Sequence, residues 1–278
     1  MELALWFIVM IVIGAFICEY VDSTLGMGYG TTLTPGLLLV GFSPMQIVPA
    51  VLLSELISGV LAGFFHHFEG NVNLKPKTMD VSKIKGMIHT YGFFHGLRHT
   101  LSSDSKIVLL LASCSIIGTI AAVFTAINIP TFWLQLYIGV LVISMGLVIL
   151  IFYNKNFRFS SKKIVGLGLL ASFNKGMSGG GYGPIVTSGQ ILSGVQGKSA
   201  VGITSLSEGL TCLVGVIAYA LISTNPVDWS LAPYIVIGAV LSVPISAKSV
   251  KIINTKKLKL AIAILSIALG ILTIVKIF

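Results

Sequence analysis

Two stretches of this chain, Ile107–Ile127 and Phe132–Tyr153, run for about twenty residues each without a charged side chain. At 1.5 Å of rise per residue, a helix of that length matches the roughly 30 Å hydrocarbon core of a bilayer. Ile47–Phe65, Ala200–Ile222, Leu231–Ala247 and Leu258–Ile277 are further apolar segments of spanning length. Charged residues make up 10% of the chain, where soluble domains carry about 25%. A soluble helical bundle needs polar helix faces, and these segments do not supply them. The chain reads as an all-α integral membrane protein whose partner is the lipid bilayer.

Composition excludes several other classes. The net charge is +9, but the basic residues lie mostly between apolar segments, so topology explains them and no nucleic-acid partner is expected. Leu3–Cys18 is apolar behind Glu2, with no basic leader and no small-residue cleavage site, so a removable signal peptide is not expected. Cys18, Cys114 and Cys212 are far apart and fit neither a disulfide framework nor a metal motif. All five histidines fall at 66–99, and only His95 and His99 have helical ligand spacing. No Cys or Glu completes that set, so neither a metal nor a cofactor is expected. The stretch "IKGMIHTYGFFHGLRHT" reads as an interfacial segment.

Residues 26–55 align without a gap on residues 179–208. Twelve of the thirty positions are identical, among them Gly26/Gly179, Gly28/Gly181, Tyr29/Tyr182, Gly30/Gly183, Thr34/Thr187 and the pair Ser54-Glu55/Ser207-Glu208. Glycine and polar matches dominate, so shared hydrophobicity is not the cause. The chain is an internal duplication, 1–152 and 153–278. Repeated halves with glycine interruptions at corresponding places mark secondary transporters.

Charge then orients the halves. The loops at 66–106, 153–163 and 248–259 hold fifteen of the eighteen Lys and Arg, while 127–131 and 223–230 hold none. The positive-inside rule puts the three basic loops in the cytoplasm. That is possible only if 164–194 enters and leaves on one face, as a hairpin turning at its glycines. Its counterpart at 3–41 then enters from the other face. The expected fold is two inverted-topology repeats, each a re-entrant hairpin with a glycine turn plus three transmembrane helices. The two turns should meet near the midplane.

The chemistry gathers at those turns. Returning arms that start after the glycines offer free N–H groups and partial positive charge to an anion. Candidate substrate contacts are Gly28, Tyr29, Gly30, Thr34, Lys175, Gly181, Tyr182, Gly183 and Thr187. Lys175 corresponds in the repeat to Asp22, and the two could pair across the tips. Glu55 and Glu208 sit inside apolar helices, where a carboxylate faces a cavity or a partner and often relays protons. With Asp22 they are the candidate ion-coupling residues. The bland alternative for Glu55 and Glu208 is capping of the opposite hairpin's N–H groups. Ser54, Ser207, Ser58 and Thr211 could add hydroxyl donors, though each alone is a common packing residue.

"DSTLGMGYGTTLTPGLLLVGFSPMQIVPAVLLSE", "HHFEGNV", "GGGYGPIVTSGQILSGVQGKSAVGITSLSE" and the terminal "KKLKLAIAILSIALGILT" resemble the sulfite exporter TauE/SafE family, also called the 4-toluene sulfonate uptake permease family. The resemblance implies a plasma-membrane transporter of sulfur-containing anions such as sulfite or an organosulfonate. Residues and resemblance together lead to a secondary transporter for a small anion, coupled to protons. A passive anion channel is the alternative, and an intramembrane enzyme a third reading that no HExxH motif or paired aspartate supports.

Overall fold

The computed structural model describes residues 4–78, 80–92, 99–151, 161–192, 194–223, 226–253 and 255–278. These form eleven α-helices and no strand. In the first half they are α1 (Leu5–Leu25), α2 (Tyr29–Val40), α3 (Pro44–Phe68), α4 (Val81–Tyr91), α5 (Ser103–Asn128) and α6 (Thr131–Ile151). The second half holds α7 (Ser161–Ser178), α8 (Tyr182–Leu192), α9 (Gly197–Ile222), α10 (Ala232–Ser249) and α11 (Thr255–Ile277). Seven of them, α1, α3, α5, α6, α9, α10 and α11, are long and apolar enough to cross a membrane. Their outward faces carry large apolar side chains, such as Leu5, Ile13 and Ile17 on α1 and Ile264, Ile271 and Val275 on α11. Stripes of that kind suit lipid. The chain is a multi-pass helical membrane protein. His95 and most of the 153–163 loop lie outside the described residues.

Local chemistry sets the helix ends. Ser43 and Gln46 form a capping box at the start of α3, with Pro44 in its first turn, where a missing N–H is harmless. Ser102 accepts from the Ser105 N–H at 3.0 Å to open α5. α1 closes on Gly26 at φ 71° and α7 on Gly179 at φ 71°, a left-handed conformation that glycine adopts without penalty. Gly28 and Gly181 follow at φ 137° and 79°. All four of these matched glycines thus take positive φ.

Two arms are longer than their apolar segments suggest. α1 continues past Cys18 to Leu25, and α7 past Phe173 to Ser178. The added turns carry Glu19, Asp22, Ser23 and Thr24, and Asn174, Lys175 and Ser178, all buried in protein. Polarity there reflects an interior polar site and not the end of a helix. α2 and α8, at 12 and 11 residues, rise only about 16–18 Å.

The broadest helix contacts all join one half to the other: α1 on α10, α6 on α11, α3 on α9 and α5 on α7, then α5 on α9 and α3 on α10. Glycines set the closest approaches. A Cβ on Gly59 would lie 2.7 Å from the Ser205 carbonyl oxygen, one on Gly63 2.8 Å from Leu206, and one on Gly215 2.9 Å from Leu52. Residue numbers rise on α3 as they fall on α9, so these helices run antiparallel. α6 and α11 do the same, through Gly139 on Ile274 and Gly146 on Ile267. α5 and α7 run parallel, with Gly168 beside Cys114 and Gly176 beside Ala122.

The two ends of the molecule differ. At one, Glu69 pairs with Lys251 at 3.3 Å, and a cleft of about 440 Å³ is lined by His67, Asn71, Lys75, Asp104 and Lys198. At the other, Gln46 donates to Asp228 at 2.7 Å, and Lys276 donates to the last carbonyls of α2, Leu38 at 2.8 Å and Leu39 at 3.0 Å. The described parts of the 66–106 and 248–259 loops share the first end.

Candidate functional site

The two glycine turns touch. A Cβ on Gly180 would lie 2.7 Å from the Gly30 carbonyl carbon and 2.9 Å from the Thr31 nitrogen. A Cβ on Gly183 would lie 2.7 Å from the Met27 Cα. Gly30 meets Gly179 and Gly180 in the same way. These glycines therefore let two backbones pass at a distance no side chain permits. Of the repeated threonines, Thr187 braces the crossing by donating to the Gly26 carbonyl at 2.6 Å, while the Thr34 hydroxyl lies beside Gly179 with no hydrogen-bond partner among the described residues. Thr187 is thus already engaged between the hairpins.

Beside this crossing the charged residues converge. The Lys175 ammonium donates to Glu55 Oε2, and to Glu208 Oε1 at 2.8 Å. Asp22, Glu55 and Glu208 each bring one carboxylate oxygen within 4.8 Å of the others. None of these four residues is more than 6% exposed. Lys175 lies on the last turns of α7, Asp22 on the equivalent turns of α1, and the glutamates at the middle of the central pair α3 and α9. Lys175 and Asp22, which could have paired across the tips, form no ion pair among the described residues. The physical reason is that Asp22 Oδ1 accepts from the Tyr29 N–H at 3.1 Å, capping its own returning arm. The other oxygens of the glutamates, Glu55 Oε1 and Glu208 Oε2, have no hydrogen-bond partner among the described residues. Tyr29 and Tyr182 are fully buried, and Tyr29 shares a 2.7 Å hydrogen bond with Ser54.

Three carboxylates at this spacing would suit a hard cation, but the lysine stands between two of them and supplies the positive charge. Chemically, the cluster can hold protons and trade carboxylate partners for its ammonium. Burying charges this way is costly unless each is paired.

Several participants were not singled out from the sequence. Glu19 is 2% exposed, lies one turn before Asp22, and has an unpartnered Oε2. Like Glu55, it is a carboxylate inside an apolar helix, a costly placement that the sequence itself displays. Cys212 Sγ is 4.0 Å from Glu55 Oε2. His66 reads as a loop histidine but lies in α3, fully buried.

The model of the sulfite exporter TauE/SafE family matches residues 86–273, more than half of the chain. A protein of Bacillus subtilis (strain 168), the probable membrane transporter protein YtnM, is 25% identical over an alignment covering 82% of this chain and 70% of that protein. No solved structure matches. The chain belongs to the sulfite exporter TauE/SafE family.

Proposed function

We propose that the chain is a proton-coupled secondary transporter of a small anion, a sulfur-containing one such as sulfite or an organosulfonate, in the plasma membrane. The observation that carries this reading is the Lys175 ammonium held by Glu55 and Glu208 where the two glycine turns cross. In that state the lysine has no charge to spare for an anion. A proton on either glutamate removes one of its two partners and turns the ammonium toward substrate. Proton and anion binding thereby favour one another. A site no more than 6% exposed at each charged residue suits a carrier that opens to one side at a time better than it suits a continuous pore. The names of the family and of the Bacillus relative point the same way.

The architecture behind this mechanism is a pair of inverted repeats, 1–152 and 153–278, each a re-entrant hairpin and three crossings. Antiparallel packing of the repeat-equivalent helices α3 and α9, and of the last helices of the two halves, α6 and α11, supports it. So does the shortness of α2 and α8. Helices that are equivalent by duplication but opposite in direction are related by an axis in the membrane plane. The loops 66–106, 153–163 and 248–259 are then cytoplasmic.

The test is uptake into proteoliposomes of sulfite, sulfoacetate, taurine and sulfate under an imposed pH gradient. One of the sulfur-containing anions should accumulate, and collapse of the gradient should abolish accumulation. Glu55→Gln and Glu208→Gln mimic the protonated state. Each should abolish gradient-driven accumulation while retaining exchange by counterflow. If both variants accumulate substrate with unchanged pH dependence, neither glutamate carries the proton. Large currents without gradient coupling would favour the channel.

A further inference from the structure

Two hydrogen bonds that the transport chemistry does not use occupy equivalent places in the two halves. His66 Nε2 lies 2.8 Å from the carbonyl oxygen of Ser23. The Tyr219 hydroxyl donates to the carbonyl oxygen of Gly176 at 3.0 Å. Adding the repeat offset to His66 gives Tyr219, and adding it to Ser23 gives Gly176. Both side chains are fully buried. Both acceptors belong to the last turn of an incoming arm, where helix carbonyls lose their intrahelical partners. Each follows directly on a charged residue of the cluster, Asp22 in one case and Lys175 in the other.

The protonation of His66 follows from its neighbours. Nε2 faces a carbonyl, which only accepts, so Nε2 carries the hydrogen. Nδ1 then accepts from the Asn71 amide at 3.0 Å, and the same amide donates to the Ala247 carbonyl at 2.8 Å. Ser199 Oγ donates to the Asn71 carbonyl at 3.1 Å. His66, Asn71 and Ser199 together thus tie the end of α1 to the ends of α3 and α10 and the start of α9. His66 is eleven residues beyond Glu55, and Tyr219 eleven beyond Glu208, each about 16 Å further along its helix. Because α3 and α9 are antiparallel, the two bonds lie on opposite sides of the cluster.

We infer that His66 and Tyr219 are paired positioning residues, each latching one hairpin against the long helix of its own half and so closing one of two opposite routes to the cluster. The inference rests on the inverted-repeat carrier reading: His66 closes the route from the 66–106 side, and Tyr219 the route from the 223–230 side. Losing either bond shifts the balance between closed and open on that side alone.

Cys212, beside Glu55 and fully buried, is a built-in reporter. In full-length protein with Cys18 and Cys114 replaced by Ser, a charged, membrane-impermeant thiol reagent is applied to right-side-out and inside-out vesicles. His66→Leu should raise the rate of Cys212 modification roughly three- to tenfold from the 66–106 side only. Tyr219→Phe should raise it by a similar factor from the opposite side only. His66→Gln, which keeps an N–H donor, should restore protection, as a general loosening of the fold would not. Increases from the same side, from both sides, or in neither variant overturn the latches. Ile252→Cys and Trp229→Cys, exposed positions at the two ends, are labelled separately in a background without the native cysteines. Modification of both from the same side would bring down the inverted-repeat reading itself. If they label from opposite sides and the latch variants do not respond, only the latches fall.

Discussion

At the scale of single residues, the energetics of the site turn on Lys175. Its charge is shared by two glutamates, and all three side chains are buried. Breaking a buried ion pair by removing one partner costs about 3–5 kcal/mol, because the other partner stays buried and uncompensated. Lys175→Met should therefore lower the thermal unfolding midpoint of the purified protein markedly. Adding Glu208→Gln to that variant should recover part of the loss, since one uncompensated carboxylate disappears. The two changes are then non-additive, as contacting residues in one network are. Strict additivity would mean that Lys175 and Glu208 do not depend on one another for stability, whatever their separation. The sequence made Lys175, Glu55 and Glu208 visible because ionisable residues in apolar helices are expensive. It could not say which partner the lysine takes, since that depends on how α3, α7 and α9 come together in space. Glu19 carries the same signal, directly after the apolar segment Leu3–Cys18.

At the scale of helices, the close pairing of α3 and α9 is the feature that brings Glu55 to Glu208. Gly59 and Gly209 lie on that seam, and a Cβ on Gly59 would be 2.7 Å from one backbone oxygen and 3.0 Å from the Gly209 Cα. Neither contact is with a side chain that could turn aside. Gly59→Val should force the helices apart, with an overpacking cost of about 1–3 kcal/mol and loss of transport. Gly36→Val on α2, where nothing lies within 4 Å of the added Cβ, should shift the unfolding midpoint much less. Equal shifts for the two would show that the seam is not a close contact. Helix existence was readable from apolar length, as for α5, α6 and α9. Helix ends were less so: α1 and α7 run on through polar turns because those turns are buried, and hydropathy registers polarity without knowing what surrounds it.

At the scale of the whole molecule, the duplicated units are not two compact bodies side by side. α1 finds its main neighbour in α10 and α7 in α5, and the central and peripheral pairs α3–α9 and α6–α11 also cross between halves. Matched glycines in the sequence point to a repeat, but this exchange of partners was not legible, since no local pattern says which helix will cover which face. The consequence can be tested by cutting the chain. Residues 1–152 and 153–278, expressed as separate polypeptides, should each be rapidly degraded, because each leaves the faces of α3, α5 or α9 that carry buried polar groups without their protein cover. In lipid an unsatisfied polar group costs several kcal/mol, so the halves have a strong reason to find one another. Co-expressed, they should copurify through a tag on either one. They should also recover the protease resistance of the intact chain, and protection of Cys212 from a charged thiol reagent. A single half that is stable alone and resists protease as the intact chain does would show that the interlocked contacts are not what holds the fold. Co-expressed halves that never copurify would show the same from the other direction.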